Sequence, residues 1–245
     1  LEGIKLIVTG VAGGIATRFY SDPMVAYLTT ISVYFALTLI LKKKTPVDII
    51  LVPLLGVLTA LLITKLIGWP VKTGMDLLGQ FIQTATTIQP FLMGIVIAVI
   101  MGMALTAPIS SAAIAIAISL GGIAGGAAVV GCSVQMLGFA IMSRKDNNIG
   151  TVISVAIGTS MLQFKNILKK PVIWLPTIIV SAMLGPISTL IFKTQTVPDG
   201  AGMGTSGLVG QFGTLEAMGY GLNAFMAILI LQIVAPIILV FLVDL

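Results

Sequence analysis

Apolar residues along this chain come in long, nearly uncharged runs bounded by charge, proline or glycine, the pattern of helices that cross or enter a membrane. A helix needs about 20 apolar residues to cross roughly 30 Å of hydrocarbon. Runs near that length are Ile4 to Thr17, ended by Arg18; Met24 to Leu41, ended by Lys42-Lys43-Lys44; and Val47 to Trp69, opened by Thr45-Pro46. Between Val71 and Thr87, Lys72, Asp76, Gln80 and Gln83 interrupt Met75, Leu77, Leu78, Phe81 and Ile82 at helical spacing. That stretch predicts an amphipathic helix lying in the interface. Further runs are Phe91 to Thr106, Ile109 to Met142, Ile149 to Leu162, Pro171 to Phe192 and Ala217 to Val243. The predicted fold is all-α: a polytopic membrane protein with about 7–9 membrane segments, including re-entrant hairpins and interfacial amphipathic helices.

Two stretches leave the topology open. Ile109 to Met142 carries no charge over 34 residues and is divided by Gly121-Gly122-Ile123-Ala124-Gly125-Gly126. Its two arms either both cross or include a re-entrant hairpin. Cytoplasmic loops carry the lysine and arginine excess, so Lys42 to Lys44, Arg144 with Lys145, and Lys165 with Lys169 and Lys170 are assigned to one side. Ile149 to Leu162 would then enter and return, with a full crossing as the alternative, and the C terminus would lie inside. The opening Leu1-Glu2-Gly3 points to a missing N-terminal segment, and residues 1–245 read as a single integral-membrane domain. Lys43-Lys44-Thr45-Pro46-Val47 and Lys169-Lys170-Pro171-Val172 open two spans in a similar way, a faint hint of duplication.

Composition excludes a water-soluble protein, since 58% of residues are apolar and 9% charged, where soluble domains carry about 25% charge. The chain has no histidine and a single cysteine, Cys132. Histidine-ligated metals, Ser-His-Asp or Cys-His catalysis, phosphohistidine and internal disulfides are therefore excluded, and neither metal nor cofactor is expected. The formal charge of +5 is dispersed as anchors beside the apolar runs, which argues against nucleic acid and for the lipid bilayer as partner.

Gly202-Met203-Gly204-Thr205-Ser206-Gly207 fits a dinucleotide-binding pattern but follows no strand and opens no βαβ unit. The eight glycines from Gly200 to Gly221 fit better a loop folded tightly inside the protein. Gly121 with Gly125, and Gly122 with Gly126, have the spacing of a close helix-packing seam. The functional signal is polar side chains stranded among apolar ones, because each costs free energy in hydrocarbon unless paired or facing a wet cavity. Gln89, Ser110, Ser111, Ser133, Gln135 and Glu216 are the candidate solute-binding residues. The amides and the carboxylate would hydrogen-bond a polyhydroxylated solute, and the serines would line its site. Pro108 would open a half-helix and aim the N–H groups of Ile109, Ser110 and Ser111 at it.

The run Thr106-Ala107-Pro108-Ile109-Ser110-Ser111, with Gly121-Gly122-Ile123-Ala124-Gly125-Gly126 and Gly131-Cys132-Ser133-Val134-Gln135-Met136, resembles the membrane IIC component of bacterial phosphoenolpyruvate-dependent sugar phosphotransferase systems. It is similar to the divergent branch that includes perfringolysin-O regulator-like proteins. Asn166-Ile167-Leu168-Lys169-Lys170-Pro171 and Gly210-Gln211-Phe212-Gly213-Thr214 extend the resemblance, which covers most of the chain from about Leu51. It implies a homodimeric, multi-pass permease of the bacterial plasma membrane that exposes a sugar to soluble IIA and IIB partners. Those partners supply the phosphoryl group, so the IIC chain needs no phosphorylated residue, consistent with the lack of histidine. Typical members place a histidine and a glutamate near the sugar, and here Glu216 alone could serve. The expectation is a permease for a sugar or other small polar solute working by alternating access. A ligand sensor on the same scaffold is the second reading, and a channel a third.

Overall fold

The computed structural model describes residues 2–41 and 45–244. The Lys42-Lys43-Lys44 anchor and the Leu1 start lie outside the described residues. The helices are α1 (Glu2–Phe19), α2 (Pro23–Ile40), α3 (Asp48–Ile88), α4 (Pro90–Thr106), α5 (Ser111–Ala117), α6 (Gly122–Ser143), α7 (Ile149–Ile153), α8 (Phe164–Lys169), α9 (Leu175–Ile187), α10 (Pro198–Ala201), α11 (Val209–Met218), α12 (Leu222–Ala227) and α13 (Ala235–Val243). Wider π-helical turns at Ser154–Gly158, Ser188–Phe192 and Ile228–Val234 extend α7 and α9 and join α12 to α13. Five helical stretches of the described residues are long and apolar enough to cross a membrane: Pro23–Ile40, Asp48–Ile88, Gly122–Ser143, Pro171–Phe192 and Leu222–Val243. Shorter apolar helices, Pro90–Thr106 and Ile149–Gly158, accompany them, and the protein is an all-α polytopic membrane protein.

The chain divides into two compact units, Leu1–Leu78 and Gly79–Leu245. In the first, Val8, Ala12, Val33, Leu37, Val52 and Ala60 form the core between α1, α2 and α3. Asp22 caps α2 by accepting from the backbone N–H groups of Met24 at 2.8 Å and Val25 at 3.1 Å, with Pro23 opening the helix. At the other end of α2, the buried Lys5 ammonium donates to the Leu41 carbonyl at 2.8 Å, satisfying an otherwise orphaned acceptor. The stretch from Val71 to Thr87 is no separate helix, because α3 continues through Pro53 and Pro70. A proline interior to an apolar helix is tolerated where neighbours take up the freed carbonyl.

The second unit is built around α6, whose apolar window is 83% buried, against 22% for α2. Glycines set how closely its neighbours approach. A Cβ at Gly131 of α6 would overlap the Ala98 carbonyl of α4, and one at Gly185 of α9 would overlap the Gly94 carbonyl of α4. Helices α4, α6 and α9 thus pack backbone to backbone, as small residues allow in membranes. The division of Ile109–Met142 falls before Gly122, where Ser119 and Gly122 both take left-handed backbone angles. That leaves α5 a single short element of 7 residues and α6 a full 22-residue span. Gly125 and Gly126 lie inside α6 as a seam, with Gly126 against the Thr194 carbonyl. The glycine-rich segment folds inside the unit, as expected: Gly200, Gly202, Gly204 and Gly210 are buried, and Gly204, at φ +54°, sits against the Cys132–Ser133 backbone.

The segment from Ile149 breaks at Thr159 and turns back through a 3-10 turn, Ser160–Gln163, into α8. Its flanking Lys145 and Lys169 line one cavity, which brings the two ends of the segment together. Ten helical residues reach about 15 Å, half the hydrocarbon thickness. Cysteines placed at Asn147 and Lys169 should react with an impermeant reagent from the same membrane side, while buried Cys132 stays silent; labelling from opposite sides would show a full crossing. Gly131→Ala should lower the thermal midpoint in detergent by the equivalent of about 1–3 kcal/mol of overpacking. Gly14→Ala, whose Cβ would meet nothing within 4 Å, should not.

Candidate functional site

The fully buried polar centre of the second unit is Gln135, midway along α6. Its Oε1 accepts from the Trp174 indole N–H at 2.9 Å, from the Thr106 hydroxyl at 3.2 Å and, at 3.1 Å, from the Thr177 hydroxyl, whose proton is shared with the Trp174 carbonyl at 2.9 Å. The Thr106 hydroxyl also lies 2.9 Å from that of Ser160. Four segments converge: the end of α4, the middle of α6, the 3-10 turn Ser160–Gln163, and the start of α9. The indole is a donor only, so the atom facing it must be the amide oxygen. This fixes the amide orientation and leaves Nε2 buried with no partner. An unmade hydrogen bond of that kind costs about 1–3 kcal/mol.

A second polar cluster joins α11 to the π-helical turn before α13. Gln211 Nε2 donates to Gln232 Oε1 at 2.9 Å, Gln232 Nε2 donates to the Thr214 hydroxyl at 2.8 Å, and Thr214 donates to the Gly210 carbonyl. Gln211 Oε1 has no partner.

The six sequence candidates do not meet at one point. Gln135 and Ser133, two residues apart on α6, face different ways. Ser133 donates to the Val129 carbonyl of its own helix at 2.8 Å and lies beside Gly204, while Ser111 donates to the Gly202 carbonyl at 2.6 Å. Both serines therefore border the glycine-rich segment. Ser110 is exposed and accepts from the Ala113 N–H at 3.2 Å, capping α5. The Ile109 N–H donates to the Ala107 carbonyl at 2.7 Å, so this turn is closed locally rather than opened to a solute. Gln89, exposed, stands at the opposite end of α4 from Thr106, about 24 Å away along the axis. Glu216 is exposed on α11.

Trp174, Thr177 and Ser160 were not among the candidates. The stranded-polar rule applies to Thr177, in the first turn of α9, and to Ser160. A lone hydroxyl in a helix reads as helix packing until its partner across the fold is known.

An open cavity of about 550 Å³ lies near this centre, lined by Phe139, Ser143, Gln163 and Ile173 with lysines and carboxylates around them. Phe139 is one turn along α6 from Gln135, and Ile173 precedes Trp174. The arrangement is a buried polar centre beside an open cavity in an all-α polytopic membrane protein. The family model described as "Phosphotransferase system, EIIC" matches residues 2–245, and the chain belongs to that family. It is therefore a membrane permease component of a phosphotransferase system. No match was found among curated proteins or among solved structures.

Gln135→Met keeps the side-chain length but strands the Trp174 N–H, and should cost about 1–3 kcal/mol of stability. Trp174→Phe removes one of three donors and should cost about 1 kcal/mol. Thermal unfolding of the two variants in detergent checks the order; a larger loss for Trp174→Phe would contradict it.

Proposed function

We propose that residues 1–245 act as one transport unit in a bacterial plasma membrane, binding a sugar or sugar-like solute at Gln135 and moving it by alternating access. The observation that carries this reading is the buried, unpartnered Nε2 of Gln135. A donor held in an apolar bundle by three fixed partners on its oxygen is prepared for an acceptor that arrives from outside, and a sugar hydroxyl is such an acceptor. Thr106, Ser160, Trp174 and Thr177 position the amide. Ser111 and Ser133 shape the neighbouring glycine-rich wall. Gln89, Ser110 and Glu216 enter the reading as residues that another conformation of the cycle would bring to the solute.

The glycine-packed helices α4, α6 and α9 supply a stiff frame, and the broken, re-entrant segment carrying Ser160 supplies the part that moves. A homodimer, with soluble IIA and IIB components delivering the phosphoryl group at the lysine-bearing face, completes the proposal. Family membership supports the role, and the isolation of Gln135 supports its place in it.

A thermal-shift screen of hexoses, hexitols and disaccharides should find a ligand that raises the midpoint by mass action. Counterflow of that labelled solute in vesicles should then fall at least tenfold in Gln135→Met while Gly14→Ala, whose added Cβ meets nothing within 4 Å, retains it. Unchanged counterflow in folded Gln135→Met would remove Gln135 from the site. Binding without counterflow in the parent protein would instead identify a sensor.

A further inference from the structure

Along α9 and the π-helical turn that extends it, apolar side chains recur four residues apart: Ala182, Pro186 and Leu190, and beside them Met183, Ile187 and Ile191. With Phe91 from the first turn of α4 they line an open groove of about 350 Å³, and every one of these residues is apolar. The groove is concave because its two helices meet through small groups. A Cβ at Gly185 would overlap the Gly94 carbonyl, and the Thr189 hydroxyl donates to the Pro90 carbonyl at 2.7 Å, sharing its proton with the Pro186 carbonyl at 3.2 Å. The bulky side chains stand as walls on either side of that contact. We propose that this groove holds one acyl chain of an anionic phospholipid whose phosphate lies at Lys193.

The length of the groove matches one leaflet. Pro171–Phe192 has 22 residues, about 33 Å as helix, and covers the hydrocarbon core once. Ala182 stands at its middle and Ile191 at its end, so the groove runs about 14 Å, close to half of the roughly 30 Å core. Water finds no hydrogen-bond partner on such a lining, and an empty groove would forfeit its dispersion contacts, so a lipid tail is the fitting occupant.

Polar groups begin where the groove ends. Gln89 precedes the first turn of α4, Lys193 and Gln195 follow the π-helical turn, and all three are exposed. Lys193 closes the helix in a left-handed conformation, φ +45°, where glycine or asparagine is usual. Among the described residues the ion pairs within 4 Å all involve Lys72, so no carboxylate neutralises Lys193. One lysine at the interface favours an anionic over a zwitterionic headgroup by about fivefold. A second copy of the chain fits the groove less well. Seven residues line it, against about 20–30 on each side of a stable interface. Its walls are Phe, Met, Leu and Ile rather than the small residues that let membrane helices approach. This inference does not rest on the Gln135 reading.

The test titrates the full chain in neutral detergent with dioleoyl phosphatidylglycerol or dioleoyl phosphatidylcholine and counts bound lipids by native mass spectrometry. The parent should retain one phosphatidylglycerol per chain and bind it about fivefold more tightly than phosphatidylcholine. Ala182→Phe fills the inner end of the groove and should weaken both lipids at least tenfold. Met183→Trp, at an exposed position, blocks the groove independently should Ala182→Phe fail to fold. Lys193→Asn, which suits the left-handed backbone, should abolish the preference and leave phosphatidylcholine binding unchanged. Ile100→Phe, exposed on α4 outside the groove, should alter neither. Lipid binding untouched by the groove variants would mean a lipid annulus alone and overturn the proposal. A preference for phosphatidylglycerol that survives Lys193→Asn would also overturn it. So would loss of a dimer rather than of lipid in Ala182→Phe, which would assign the groove to a second copy.

Discussion

The second unit is organised by one constraint: the carboxamide of Gln135, fully buried in an apolar helix, must be met by donors from other segments. Trp174 and Thr177 come from α9 and its approach, and Thr106 comes from the end of α4. They can reach only because α4 contacts α6 at Gly131 and α9 at Gly185 with no side chain between the backbones. A single Cβ at Gly131 would push α4 away from α6 and open the bond from Thr106 to Gln135. Close packing and polar satisfaction are thus one requirement, and lipid, which competes for neither, makes both matter more than they would in water. The oxygen of the amide accepts from other segments, and its nitrogen has no partner among the described residues.

Much of the fold was legible because charge, proline and glycine mark helix ends when everything else is apolar. The runs ending at Arg18 and Thr106, and the span Pro171 to Phe192, match the observed helices to within about two residues. The placement of Arg144 and Lys170 led us to expect a segment that enters and returns between Ile149 and Leu162, and the helix observed there is broken at Thr159. Where the reading departed, a local rule gave way to packing. Pro70 did not end α3, and the glycine run did not end a helix at Gly125, because a glycine needed for close approach and a glycine needed for a turn look alike in sequence. The three π-helical turns left no sequence trace at all.

For the candidate site the balance is different. Gln135 could be found because an amide in such surroundings needs a reason. The remaining candidates scattered. Ser111 and Ser133 satisfy neighbouring carbonyls, and Ser110 is a cap. Glu216, an attractive carboxylate at the head of an apolar run, is exposed on α11. Trp174 was invisible in sequence because its contribution is one N–H aimed across 39 residues of chain. A polar residue's cost in hydrocarbon can be read from its neighbours in sequence, but the partner that offsets that cost is a property of the fold.

The central claim is that the free amide nitrogen of Gln135 is where the transported solute is held. The most direct measurement is a cryo-electron microscopy structure of the protein bound to a solute identified by stabilisation. The account predicts solute density within hydrogen-bonding distance of Gln135 Nε2, with the Trp174 indole still donating to Oε1. Density confined to Glu216 or Gln89, with the Gln135 amide still enclosed and unpartnered, would contradict it.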